Sequence, residues 1–171
     1  MARRKTPVKR GLLCLKIVWK GPYTRREVID QFGNSGFPPE YDGDDYGLYQ
    51  VYGRHILAGD TLLYVGKADR QTFSRRFKQH EAWPHSDKAK GQRVYLGRIK
   101  VIPRRHRRQD KWKKWEEDIH LAERIIIRKY SPNYNSSNIA RKPKLSHETV
   151  VLLHQGDRKR LRSRDVAPDD T

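Results

Sequence analysis

Between Tyr46 and His80 the hydrophobic pattern changes from a period of two to a period of about 3.6, which few folds accommodate in so short a stretch. From Tyr46 to Tyr52, Tyr46, Leu48, Gln50 and Tyr52 face one way while Gly47, Tyr49 and Val51 face the other, so Tyr49 has small neighbours. A loop with Gly53, Gly59 and Asp60 follows, and then a short apolar run from Thr61 to Gly66 closed by glycine. That order predicts two paired strands, with Tyr64 and Gly66 on one face of the second.

The next segment predicts a helix. Phe73 and Phe77 form an apolar stripe, and Arg76 and His80 form a second stripe about 100° away from it. A guanidinium and an imidazole then project along the border of a packed surface. Taken singly, each residue reads as easily as core or as a solvated face.

The flanks add further elements. Leu12–Trp19 predicts a strand behind a basic arm (Arg3, Arg4, Lys5, Lys9, Arg10) that reads as disordered in the free protein or as lying along phosphates. Thr24 and Glu27 have capping-box spacing and predict a short helix to about Phe32. The irregular segment 33–45 carries Glu40, Asp42, Asp44 and Asp45 without the alternating spacing of a calcium loop. Gln92–Ile102 predicts another strand. A helix over about 110–130 presents Trp112, Trp115, Ile119, Ala122 and Ile126 as its stripe, with Glu123 at the border. A carboxylate there is partly desolvated and needs a cation, for which the neighbours on the Arg124 side or Arg128 of the same helix are one source and a metal ion another. Thr149–His154 predicts a last strand, and Ala167–Thr171 a frayed end.

The chain has 171 residues, enough for one sizeable core, and 38 Lys and Arg against 20 Asp and Glu give a net charge of +18. Such an excess concentrates polyanions and makes nucleic acid the first partner to consider. Arg104, Arg105, Arg107, Arg108 and Lys111 lie just before or within the start of the long helix, and read as phosphate-tracking or as a solvated loop. Cys14 is the sole cysteine, which points to a reducing compartment, and no run approaches a membrane span, so a soluble cytoplasmic protein with no membrane partner is expected. His80 and His85 are five apart with Pro84 between them, which argues against a zinc-binding helix.

The tripeptides Gly47–Leu48–Tyr49 and Tyr64–Val65–Gly66, followed by Arg76 and His80, resemble the GIY-YIG nuclease family. The resemblance implies a glutamate on a later helix and an asparagine beyond it, which Glu123 and Asn135 match. It covers residues 46–135, flanked by an elaboration at 1–45 and a basic extension at 136–171. The fold it implies is α/β (α+β): a small central mixed or antiparallel sheet of about three strands flanked by helices, with strand and helix elaborations at both ends. Leu48 and Val65 replace the isoleucines of the two motifs and keep their apolar character.

The implied activity is hydrolysis of DNA phosphodiester bonds. Glu123 would hold one Mg2+, with Mn2+ as a substitute, and Arg76 would bind the scissile phosphate. Tyr49 would be the general base, its pKa lowered from ~10 by Lys67, His80 or the metal. Tyr64 would hold water or phosphate, His80 would orient Tyr49 or move a proton, and Asn135 would bond backbone or place the glutamate. Lys67 matches the excision-repair branch, which has a tyrosine at the position of His80, so the roles of Tyr64, Lys67 and His80 stay open. Arg75, Lys78 and the basic stretch would contact double-stranded DNA. The compact chain looks most like the family's restriction endonucleases, which implies a companion methyltransferase and, for a palindromic target, a homodimer. The alternatives are a structure-specific repair or recombination nuclease and a basic binding protein without turnover.

Overall fold

A computed structural model of the chain describes residues 9–33, 45–55, 57–79, 91–100, 108–135 and 147–168. In order, these form β1 (Lys9–Tyr23), α1 (Arg25–Gln31), β2 (Gly47–His55), β3 (Gly59–Ala68), α2 (Phe73–Gln79), β4 (Arg93–Lys100), α3 (Arg108–Tyr130), β5 (His147–Gly156) and β6 (Arg164–Pro168).

The sheet differs from the expectation of about three strands. It has six, in the order β3-β2-β4-β1-β5-β6, mixed in direction and curved into a half-barrel. β3, β2 and β4 are antiparallel neighbours, but the sheet does not stop at β4. β1 pairs antiparallel with β4, Ile17 opposite Ile99, and parallel with β5, Leu15 opposite Leu152. Leu13, Leu15, Ile17 and Trp19 alternate into the interior, so β1 is a central strand. The frayed end is corrected in part: Ala167 and Pro168 belong to β6, paired with β5, while residues 169–171 lie outside the described residues.

Each face of the sheet carries its own apolar layer. On one, Tyr46, just before β2, and Leu48 and Tyr52 of β2 join Trp115, Ile119, Ala122 and Ile126 of α3. On the other, Tyr49 and Val51 meet Val28 of α1 and Phe73 and Phe77 of α2. Burial of each phenylalanine contributes about 2–3 kcal/mol. The α1 cap forms as its spacing predicts: the Thr24 N–H donates to Glu27 at 2.6 Å, and the Glu27 N–H donates to Thr24 Oγ1 at 3.2 Å.

A buried polar chain ties the two ends of the molecule together. Trp19 Nε1 donates to His154 Nδ1 at 3.1 Å, so the ring proton lies on Nε2, which donates to Asp165 Oδ2 at 3.1 Å. The other Asp165 oxygen accepts from Lys129 Nζ at 3.0 Å and from the Tyr130 hydroxyl at 3.0 Å. Burial alone would raise this carboxyl, but the bonds from His154, Lys129 and Tyr130 outweigh it and hold the pKa low. Among the described residues no helix is long and apolar enough to cross a membrane.

Asp165→Ala removes the acceptor shared by His154, Lys129 and the Tyr130 hydroxyl and is expected to cost about 3 kcal/mol in urea unfolding. The exposed Glu117→Ala is expected to stay within about 0.5 kcal/mol of the parent.

Candidate functional site

Two glycines set the geometry around Tyr49. Gly47 has φ +144°, and a Cβ there would lie 2.3 Å from the Gly97 carbonyl oxygen. Gly66 stands directly opposite Tyr49 across the ladder, and a Cβ on it would lie 2.5 Å from the tyrosine hydroxyl. The missing side chain lets the Tyr49 ring cross the strand, pack edge-on against Phe77 at 5.0 Å and stack on Tyr64 at 5.9 Å. Tyr49 is fully buried; Tyr64, at the rim, is partly exposed.

α2 brings Arg76 to this pair and is braced by α1. Ser74 Oγ donates to the Ile29 carbonyl at 2.6 Å, the Ser74 N–H donates to Phe32 O at 2.9 Å, and Arg25 donates to Phe77 O at 3.0 Å. Arg76 Nε is buried with no hydrogen-bond partner among the described residues. The guanidinium nevertheless feels Tyr49, Tyr64 and Glu123; desolvation works against its charge, and those three groups more than offset it.

α3 packs against β3, β2 and β4 and carries Glu123 to the same place. Burial pushes the Glu123 carboxyl up to about 7; Lys67, Arg76 and Arg124 oppose the rise and Asp69 adds to it. Its nearest ion-pair contact is His120 Nδ1 at 4.0 Å, one turn earlier on α3, and Arg128 is exposed. Of the intrahelical cations the sequence offers, Arg124 contributes to holding this carboxylate, together with Lys67 and Arg76 from other elements.

Asn135 has the backbone-bonding role of its two alternatives, but its partner is a strand. Its Oδ1 accepts from the Val65 N–H and its Nδ2 donates to the Val65 carbonyl, both at 2.8 Å. With the Tyr134 N–H donating to Leu63 O at 2.9 Å, the turn after α3 acts as a short extra rung on β3.

Tyr49, Tyr64, Arg76, Glu123 and Lys67 thus form one electrostatically coupled group. In the free protein the Tyr49 phenol is shifted upward. Burial raises its pKa, Tyr64 and Glu123 add to the rise, and the cation acting against them is Arg76. Lys67 instead forms an ion pair with Asp69 beside Glu123. Arg75 and Lys78 are exposed on α2. His80, Arg104, Arg105 and Arg107 lie outside the described residues, as do the side chains of Arg108 and Lys111 and the acidic loop residues Glu40, Asp42 and Asp44.

Sequence reasoning missed two members of the group. His120 is three residues before Glu123 on a helix, so the i, i+3 spacing was a readable signal. Asp69 follows Lys67 by two, but nothing local marked it as the partner that holds the lysine.

As a place for a divalent cation the site fits in one respect. A buried carboxylate with a raised pKa gains from a cation, and Glu123 offers one hard oxygen donor. Among the described residues no cluster of three or more His, Cys, Asp or Glu side chains has metal-binding geometry, so the protein would supply few ligands and water or phosphate the rest. No family model, curated protein or solved structure matches this chain.

Because folding raises the Glu123 pKa from 4.5 to about 7, the native state holds this proton more tightly and stability falls as pH rises between those values. Glu123→Gln is expected to melt with the parent below about pH 4 and to exceed it by on the order of 3 kcal/mol at pH 8, in divalent-free thermal scans. Asn135→Ala is expected to cost about 2 kcal/mol and to speed amide exchange at Val65, read by hydrogen-exchange NMR.

Proposed function

We propose that the chain is a divalent-metal-dependent DNA endonuclease of the GIY-YIG type, acting inside the cell as a sequence-specific restriction enzyme. The observation that carries this reading is Arg76: a guanidinium that bonds Tyr49, with an Nε buried and without a hydrogen-bond partner among the described residues, grouped with two tyrosines and a desolvated glutamate. An arginine fork in that setting suits a phosphate held in two directions. A net charge of +18 supports a polyanionic substrate.

The roles follow from the environments. Arg76 would take the non-bridging oxygens of the scissile phosphate and stabilise the charge that develops on them. Glu123 would hold magnesium, or manganese in its place; when bound, the ion neutralises phosphate charge and lowers the pKa of a coordinated water. The phosphate would draw Lys67 between its own charge and that of Asp69. Tyr64, at the rim, would orient water or phosphate. Tyr49 keeps its proton in the free protein, so it would serve as a base only once added positive charge offsets its burial. A two-fold symmetric target would call for two copies of the chain, and a companion methyltransferase would protect host sites.

Incubation with large unmethylated phage DNA and magnesium is expected to produce discrete fragments. Arg76→Ala and Glu123→Ala should each slow cleavage by ~10³-fold with binding largely kept. A smear would retain phosphodiester hydrolysis but remove the sequence-specific reading. Uncut DNA that still shifts in a gel would replace the enzyme with a binding protein or point to branched substrates.

A further inference from the structure

The connection between β5 and β6 carries Arg158, Lys159, Arg160 and Arg162, and Arg164 opens β6. A charge run of this kind is ordinarily a solvated, mobile turn. Here it is fastened at nearly every position. The Leu161 side chain is fully buried, and its N–H donates to Arg158 O at 3.0 Å. The Arg160 N–H donates to the Tyr52 hydroxyl at 3.3 Å, and the Arg162 N–H donates to the Tyr130 hydroxyl at 2.8 Å. The Ser163 carbonyl accepts from the His154 N–H at 2.9 Å. Lys159, Arg160 and Arg162 are exposed around this fastened backbone.

Lys159 has φ +55°, a conformation that costs a non-glycine residue about 1 kcal/mol. Glycine or asparagine would occupy it more cheaply, yet it bears a cation. Asp60, on the β2–β3 hairpin, gathers this charge. It pairs with Arg93, lies opposite Arg54 in the ladder, and its carboxyl is held low by the Arg93 hydrogen bond with Lys159 and Arg160 adding to the effect. Asp60 and Asp157 against Arg54, Arg93, Arg158, Lys159, Arg160 and Arg162 leave a net positive rim drawn from the hairpin, β4 and the β5–β6 connection.

We propose that this rim, Lys159, Arg160 and Arg162 with Arg54 of the hairpin, binds the backbone of duplex DNA at a distance from the cut. The proposal rests on the nuclease reading of the Tyr49–Glu123 site. Asp60 and Gly66 are both on β3 and stand about 20 Å apart at the rise of an extended strand. Glu123 and Tyr130, whose hydroxyl holds Arg162, are about 10 Å apart along α3. Both spans are shorter than one duplex turn of about 34 Å, so one double helix at the site reaches the rim within about six base pairs. Cations carried on a fastened backbone contact phosphates at less ordering cost than those of a flexible tail.

The test is fluorescence anisotropy of a labelled 24-base-pair duplex with the full chain in EDTA across a salt series. The triple variant Lys159→Asn/Arg160→Gln/Arg162→Gln is compared with a charge-matched control, Lys20→Gln/Arg26→Gln/Arg128→Gln. The triple variant is expected to bind about 30-fold more weakly at moderate salt and to lower the salt slope by about two to three, while the control stays within about threefold. Lys159→Asn alone, a replacement suited to that backbone conformation, is expected to lower the slope by about one, which keeps the test valid if the triple variant melts early. A parent that binds while the triple variant or Lys159→Asn matches it overturns this proposal and leaves the nuclease reading standing. Equal loss in the control also overturns it, assigning the effect to net charge. A parent that does not bind duplex at all overturns both.

Discussion

The central place of β1 is the constraint on which the remainder depends. Its backbone is paired along both edges, with β4 on one side and β5 on the other, and Trp19 near its end joins the polar chain through His154 to Asp165. A strand with both edges occupied has little freedom to slide, because a one-residue slip would turn Leu13, Leu15 and Ile17 away from the core. β4 is thereby fixed on one side and, through it, β2 with Tyr49. α1 leaves β1 through Thr24 and grips α2, so the position of Arg76 also traces back to this strand. The segment preceding the motifs is therefore part of what aims them.

The individual elements were legible because each writes its own local pattern. The alternation in β2 separated Tyr49 from Leu48 and Tyr52, and both sets lie on the faces that alternation assigns. The Thr24–Glu27 spacing marked a real cap, and Trp115, Ile119, Ala122 and Ile126 of the α3 stripe are buried. The sheet was not legible, since a strand's partner is set by complementary edges far along the chain. Leu15 and Leu152 are neighbours although 137 positions apart in sequence, 152 less 15, and no local period records that. β6 was missed because five residues ending in proline look like a tail until β5 offers them an edge.

The candidate site shows the same division. Gly47, Gly66 and Tyr49 could be grouped from spacing, and steric exclusion explains the glycines. The raised phenol of the free protein at Tyr49 was not legible, because burial depends on the packing of Phe73 and Phe77 around it, a tertiary quantity. The same burial raises Glu123, so the group has carboxylate and phenol both disfavoured as anions beside a guanidinium that stays charged. An excess of positive potential in a poorly solvated place attracts an anion of matching shape more strongly than an exposed lysine patch does.

The turn at Tyr134 and Asn135 has a consequence for the life of the protein in a crowded solution. An outer strand with open N–H and C=O groups is a template on which a second chain adds, and from which fibrous assemblies grow. Asn135 satisfies both backbone groups of Val65, and the Tyr134 N–H takes the Leu63 carbonyl, so this border of the half-barrel offers a newcomer few places to attach. The opposite border ends in five residues closed by Pro168, which has no N–H to give. With one border plugged by a turn and the other only five residues long, the sheet presents less open edge to a second chain than its six strands would otherwise offer.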